Sequence, residues 1–438
     1  MTAVSKKDRH TPFCEYSAYV SDLGRLAAES RLVTNWDVRV DSALNGQASI
    51  ELRKAVSIET RRKFGAFFTG SNLREKLIDC GSELDSRSVF YDPTCGMGDL
   101  LIAAARRLPL SRTLSGTLKK WGEQLIGTDL HPEFVQGTKT RLVLLARQRH
   151  KADKILRNAP DDFFPNIRVA DGLSQQFPYN SATHILLNPP FGKAASPVGC
   201  KWAGGRVTEA ATFVVTALEN SRPGTEILAI LPEVLRSGSF SERWRSYVSE
   251  LSEIQLVQPY GIFDDSADVD VFLLRLTCSG ETQKTSYCNW TNSNSSETTT
   301  VADFFDVHVG RVVPHRDSET GPLLRYIHPR NIPVWEEVSR ISEKRRHEGL
   351  NYRPPFVVIR RTSRRGHPYR AAATVILGKK PVAVENHLIV CNPRDNSPDT
   401  CRALMAQLHT SRVNSFLDQY IRCRHLTVEA VAAIPFNL

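Results

Sequence analysis

Asn188-Pro189-Pro190-Phe191 follows the apolar run Ile185-Leu186-Leu187 and places two hydrogen-bond acceptors side by side with no competing donor. Proline lacks a backbone N–H, so the Asn188 amide oxygen and the Pro189 carbonyl can both face one group that offers two N–H bonds. A primary aromatic amine is such a group. Its lone pair is delocalised into the ring, and two acceptors that hold both N–H bonds draw the nitrogen towards tetrahedral geometry. That localises the pair for in-line attack on an electrophilic carbon. Phe191 adds a flat apolar face on which an aromatic ring can stack. A lone Asn-Pro more often makes a plain turn, and Phe191 would serve equally well in a core, so position has to decide.

A second constellation supplies a place for the electrophile. Asp92-Pro93-Thr94-Cys95-Gly96-Met97-Gly98-Asp99 follows the run Val89-Phe90-Tyr91 and opens a helix, so Gly96 and Gly98 fall where the chain turns sharply beside a ligand. A dinucleotide loop is the obvious competitor. Its third glycine is replaced by Leu101, and the carboxylate of Asp92 would repel a pyrophosphate while favouring a cation such as the α-ammonium of S-adenosylmethionine. Gly127-Thr128-Asp129-Leu130 puts an acid after a second run, suited to accepting two ribose hydroxyls. Val169-Ala170-Asp171-Gly172 puts another after a third, suited to an adenine amino group. Such acids also cap helices, as Asp129 before His131-Pro132 would; capping and binding are compatible.

The elements that must position these groups are short aliphatic runs alternating with longer amphipathic stretches between about residues 64 and 277. The runs are Val89–Tyr91, Leu125–Gly127, Ile167–Val169, Ile185–Leu187, Ile227–Ile230, Ile254–Val257 and Val271–Leu274. Helices are expected over Leu100–Arg107, Pro132–Arg147, Glu209–Asn220 and Phe240–Leu251, which makes the fold α/β with a doubly wound, seven-stranded, Rossmann-like sheet. Residues 1–60 read as an N-terminal helical segment, 61–278 as the sheet domain, and 279–300 as a polar linker or loop. Residues 301–438 read as a second, α+β domain, with strands near Val307–Val309, Phe356–Arg360, Ala373–Leu377 and His387–Val390 and a helical stretch near 399–420.

The chain has 438 residues and a formal net charge of +10. Residues 340–438 hold 17 Lys+Arg against 7 Asp+Glu, which leaves 40 against 40 in residues 1–339, so the whole surplus lies in the last 99 residues. Arg360, Arg361, Arg364, Arg365, Lys379 and Lys380 cluster there beside Thr362 and Ser363, a composition suited to phosphate contacts, although a merely solvated basic face has the same look. Nine cysteines without a Cys-x-x-Cys pair argue against zinc and against a disulfide framework, so no metal is expected. The N-terminus lacks an apolar leader, and no run approaches the roughly 18 apolar residues of a membrane span, so a cytoplasmic protein without a membrane partner is expected.

Taken in order, these motifs resemble the amino-methyltransferases of DNA, specifically the γ-type N6-adenine enzymes of restriction-modification or related defence systems. The resemblance covers roughly residues 64–277, with Gly65-Ala66-Phe67-Phe68-Thr69-Gly70 in the place of that family's Phe-x-Thr motif. It implies a methyltransferase sheet with a C-terminal target-recognition domain, S-adenosylmethionine as cofactor and double-stranded DNA as partner. It implies Phe68 and Thr69 around the methionine part of the cofactor; Asp92, Pro93, Gly96 and Gly98 at the glycine loop; Asp129 and Leu130 at the ribose; and Asp171 and Gly172 at the adenine. Asn188, Pro189, Pro190 and Phe191 would hold a target adenine flipped from its helix, at an unstacking cost of a few kcal/mol. A specificity or restriction subunit is a candidate partner, and oligomeric state is left open. Two positions depart from the family pattern: Thr94 stands where Ala is common, and Gly70 where Pro is usual.

The same loop type serves enzymes that methylate amino groups in RNA or glutamine amides in proteins, and a noncatalytic DNA-binding subunit of a defence complex would keep the fold. Phe191, the motif order and the basic C-terminal domain favour DNA adenine. A fused nuclease built on Asp41, Glu51 and Lys54 is excluded, since sixty residues are too few for such a domain.

Overall fold

Apolar runs without polar alternation can only be strands covered on both faces, and this is where the chain places them. A computed structural model describes residues 12–151, 159–174, 176–264, 269–280, 290–291, 299–363 and 366–437. The strands of the larger sheet are β1 (Phe90–Asp92), β2 (Leu125–Asp129), β3 (Ile167–Val169), β4 (His184–Leu187), β5 (Glu226–Pro232), β6 (Ser252–Ile262) and β7 (Asp270–Cys278). They pair in the order β3-β2-β1-β4-β5-β7-β6, parallel except for β7, which runs antiparallel between β5 and β6. Ile185, Leu186, Leu187, Ile227, Ala229, Ile230 and Leu231 are fully buried. The expected seven-stranded, doubly wound α/β sheet is therefore present. Its order reverses between β1 and β4, which opens a crevice at their carboxyl ends. Asp92 ends β1, and Asn188 follows β4 on the adjacent strand.

The chain divides into two compact units, residues 1–235 with 243–288, and residues 236–242 with 289–438. In the first, the segment before residue 60 shares the sheet's core: Phe13, Tyr16, Val20, Trp36, Val40 and Leu44 pack in one cluster with Phe134, Leu142 and Leu145 of the helix Pro132–His150. Polar groups join them as well. The helices Ser17–Ala28 and Trp36–Leu44 end with carbonyls that have no intrahelical partner. Arg147 Nη1 donates to Ala27 O at 2.8 Å, and Arg141 Nε donates to Ala43 O at 2.9 Å. Arg141 also donates to Met97 O and, at 2.9 Å, to Asp99 Oδ1.

In the second unit, β8 (Phe305–Val309), β9 (Leu323–Ile327), β10 (Glu337–Val338), β11 (Lys344–Arg346), β12 (Phe356–Arg360), β13 (Ala373–Ile376), β14 (Val382–Val384) and β15 (Leu388–Pro393) form two sheets, of order β8-β15-β12-β13-β10 and β11-β9-β14. Alternation explains the layering. Val357, Ile359, Val375, Ile389 and Cys391 pack on Leu404, Leu408, Val413 and Leu417 of two C-terminal helices. Phe356, Val358, Ile376 and Val390, on the opposite face, pack on Ile327, Val382 and Val384. The single helical stretch expected near 399–420 is two helices, Pro398–Leu408 and Ser411–Tyr420, because Thr410 caps the second by accepting from Val413 N. Residues 281–289 and 292–298 of the expected linker lie outside the described residues. Among the described residues, no helix is long and apolar enough to cross a membrane.

Candidate functional site

The loops after β1, β2, β3 and β4 converge on a cavity of about 250 Å³. Its walls include Phe68, Thr69, Asp92, Pro93, Gly96, Asp129, Leu130, Asp171, Gly172, Asn188 and Pro190, so most of the sequence-derived residues meet in one place. Asp92 is buried and accepts from Thr94 N at 3.0 Å, and no cation pairs with it among the described residues. Burial raises its pKa to about 8. Asp129 accepts from Gly96 N at 3.0 Å through one oxygen and from His131 N at 2.9 Å through the other. Burial raises it to about 6 against those bonds. Each Asp129 oxygen keeps a lone pair for a ligand, so the capping and binding roles coexist. Asp171 is exposed at the rim and accepts from Leu173 N at 3.0 Å.

A cavity lined by five acidic side chains, Asp92, Asp99, Asp129, Asp171 and Glu209, repels phosphate and suits a ligand that carries a cation and a diol. The remaining wall is aromatic. Phe68 and Phe134 have ring centres 5.1 Å apart, and Phe13 and Tyr16 from the N-terminal segment back them. His131 lies 4.5 Å from Phe13, and burial lowers its pKa. The donor set thus fits the ammonium, ribose and sulfonium groups of S-adenosylmethionine.

A second cavity of about 240 Å³ shares Gly65, Phe67 and Asn188 with the first and adds Arg62, Pro189, Phe191, Gly192, Phe263 and Val269. Phe191 is half-buried and meets Phe263 edge-on at 5.5 Å. Asn188 Nδ2 donates to Thr69 Oγ1 at 2.9 Å and to Phe67 O at 3.5 Å. Because a backbone carbonyl can only accept, this pair fixes the amide orientation and leaves Oδ1 for a ligand. Gly65 makes the arrangement possible: it ends the helix Ile58–Phe64 at φ +62°, and a Cβ there would lie 2.5 Å from Pro190 Cβ.

Gly98 is placed differently from the expectation. It is absent from the cavity wall, and its φ of +81° together with a Cβ that would lie 2.6 Å from Thr138 Cγ2 already requires a glycine for helix packing. Phe64, His131, Phe134, Glu209 and Phe213 line the cavity without having been singled out. The spacing of Glu209 and Phe213, one helical turn apart at the start of the helix after the Asn188 loop, was the available signal.

In the second unit, two of the arginines expected at phosphates, Arg360 and Arg361, turn inward. Arg360 Nη2 donates to Pro329 O at 2.9 Å, and Arg361 Nε donates to Leu426 O at 3.3 Å, satisfying loop carbonyls of their own unit. Lys379 and Lys380 are exposed between β13 and β14. Arg364 and Arg365 lie outside the described residues.

No protein-family model and no curated protein matches the chain. Among solved structures, it is similar to the type IIL restriction-modification enzyme MmeI in complex with DNA, with a TM-score of 0.47 and 11% identity over 87% of this chain and 66% of that one. It is similar to the type IIG restriction endonuclease BpuSI, with a TM-score of 0.43 and 13% identity over 99% and 68%. It is also similar to the methyltransferase subunit of a type I restriction-modification system from Streptococcus thermophilus, with a TM-score of 0.35 and 15% identity over 53% and 49%. The chain therefore spans about half the length of that subunit.

Proposed function

We propose that this chain transfers a methyl group from S-adenosylmethionine to adenine N6 in DNA, on a base flipped out of the duplex, within a restriction-modification or related defence system. The observation that carries the reading is the placement of Asn188 on the wall shared by two cavities, one acidic and one aromatic. Asp92 would hold the ammonium of the methyl donor, Asp129 its ribose and Asp171 its adenine, with Phe68 and Phe134 against the sulfonium side. The donor supplies an electrophilic methyl group. Asn188 Oδ1, held by the bonds from Nδ2 to Thr69 and Phe67, and the Pro189 carbonyl would accept from the target amine, while Phe191 and Phe263 would bracket the ring. Lys379 and Lys380, with the Arg364-Arg365 pair, are the proposed phosphate contacts, and specificity or restriction subunits are the proposed partners.

Purified protein with radiolabelled S-adenosylmethionine is expected to label duplex DNA on adenine N6. Modified-base sequencing of cellular DNA with and without the gene would then show the acceptor and its sequence context. Label in RNA or protein with DNA inert would overturn the proposal.

Cofactor binding should depend on pH. Burial pushes the Asp92 pKa up to about 8, so at lower pH the carboxyl would be protonated before the cofactor binds, and because pairing with an ammonium requires the carboxylate, binding would expel that proton. Affinity for S-adenosylmethionine should therefore fall as pH drops, by up to about tenfold per unit between pH 7 and 6, as linkage of one proton dictates. Above about pH 8 the donor's own α-amino group loses its charge and affinity falls again. Calorimetric titration across this range tests the slope, and Asp92→Asn should flatten its acidic side.

A further inference from the structure

Glu209 is the one acid on the wall of the larger cavity that belongs to the same side as the Asn188 loop. It opens the helix Glu209–Asn220, and Phe213, one turn further on, lines the same cavity. Its backbone N–H donates to Gly192 O at 2.9 Å, which ties the helix start to the residue after Phe191. The carboxylate lies against that loop: a Cβ on Gly192 would sit 2.5 Å from Glu209 Oε1, so any larger residue at 192 would displace it. The side chain is half-buried, and no hydrogen bond or ion pair engages the carboxylate among the described residues. Burial raises its pKa, and no neighbouring charge opposes that. The other charged groups on the cavity walls are Asp92, Asp99, Asp129, His131 and Asp171, and Lys193 and Arg206 lie on the hairpin that leads into its helix. An acid that only capped its helix would bond to the free N–H groups of the first turn; Thr208 does that, accepting from Ala211 N at 3.3 Å.

Resting on the function proposed above, we infer that Glu209 is a catalytic residue, the base that receives the proton released by the methylated amine. Asn188 and Pro189 need no base to make the nitrogen attack, but the product of attack has one proton too many. As the N–C bond forms and the C–S bond of the sulfonium donor breaks, sulfur keeps the electron pair of the broken bond and becomes a neutral thioether. Positive charge develops on the nitrogen as it gains the methyl carbon. In the same transition state an N–H bond breaks, its electron pair returns to nitrogen, and the proton passes to the Glu209 carboxylate and from there to solvent, so loss of the base slows the methyl transfer itself. The result is a neutral secondary amine. A carboxylate whose proton affinity is raised by burial is better matched to that acceptor role than one free in water.

The test compares full-length wild type with Glu209→Gln and Glu209→Asp on duplex DNA. Single-turnover rates are expected to fall at least about 100-fold in the glutamine variant, within the range of general-base contributions, and to recover in part in the aspartate variant. With S-adenosylmethionine saturating, so that the titration of Asp92 no longer enters, the acid limb of the wild-type kcat/KM profile for DNA should vanish with glutamine. Infrared difference titration of the two proteins with S-adenosylmethionine bound should give a carboxyl midpoint that coincides with that limb. A glutamine variant with the wild-type rate and profile, or one that keeps the acid limb while losing cofactor affinity, overturns the role of Glu209 alone. A wild type inert on DNA overturns the parent reading and this one with it.

Discussion

Asn188→Ala is expected to lower the single-turnover rate of methyl transfer by roughly 10²–10³-fold, the loss seen when one preorganised hydrogen-bonding group at a reaction centre is removed. S-adenosylmethionine affinity should fall far less than the rate, because the acids that suit the cofactor sit on the loops after β1, β2 and β3 while Asn188 follows β4 and touches the cofactor cavity only through its wall and the Thr69 loop. The reason lies in which atoms are committed. The Asn188 amide nitrogen is occupied by Thr69 Oγ1 and Phe67 O, so its oxygen is the free half of the group. Alanine removes that acceptor and also releases the Thr69 loop. Asn188→Asp separates the two effects, since a carboxylate still accepts from an amine but no longer donates to Phe67 O. It should retain more activity than alanine. Stopped-flow or rapid-quench measurement with equilibrium cofactor binding on the same samples checks both halves; equal losses in rate and in affinity for alanine would place Asn188 in the cofactor site instead.

The sheet and the convergence of its loops were legible in the sequence because burial on both faces leaves strands no polar positions. Ile185-Leu186-Leu187 and Ile227–Ile230 can scarcely be anything else. The acids after three strands were legible for the same reason, since each follows an abrupt end of an apolar run. Gly98 was not, because a glycine required by Thr138 across a helix contact and a glycine required by a ligand have the same letter and the same neighbours. Charge was misleading in a similar way. Arg360 and Arg361 count towards the basic surplus, but their guanidinium groups are occupied by backbone carbonyls, as is that of the fully buried Arg370, which reaches Cys423 O at 2.9 Å and Asp418 Oδ1 at 2.6 Å. A count of positive residues carries no information about which of them a loop carbonyl has claimed.

Least legible was the role of residues 12–60, whose helices look detachable because their apolar faces are narrow. Their attachment rests in part on Arg141, which is fully buried and bonds at once to Ala43 O, Met97 O and Asp99. Arg141→Met is therefore expected to lower stability by about 3–5 kcal/mol, the cost of removing one partner from a buried ion pair. Arg74 Nη1 donates to the same Asp99 oxygen at 3.4 Å and to Leu44 O at 2.8 Å, so Asp99 keeps one weaker partner while Ala43 O and Met97 O lose theirs. The exposed pair Arg87–Asp85 provides the contrast: Arg87→Ala should leave stability nearly unchanged, because solvent screens the pair. Denaturant titration of both variants makes the comparison. The loss at Arg141 should also reach the cavity, since Phe13 and Tyr16 stand behind Phe68 and Phe134 on its wall. S-adenosylmethionine affinity should then fall with stability in Arg141→Met and stay at the wild-type value in Arg87→Ala. Loss of stability with unchanged cofactor affinity would mean that the aromatic wall holds its shape without the helices behind it.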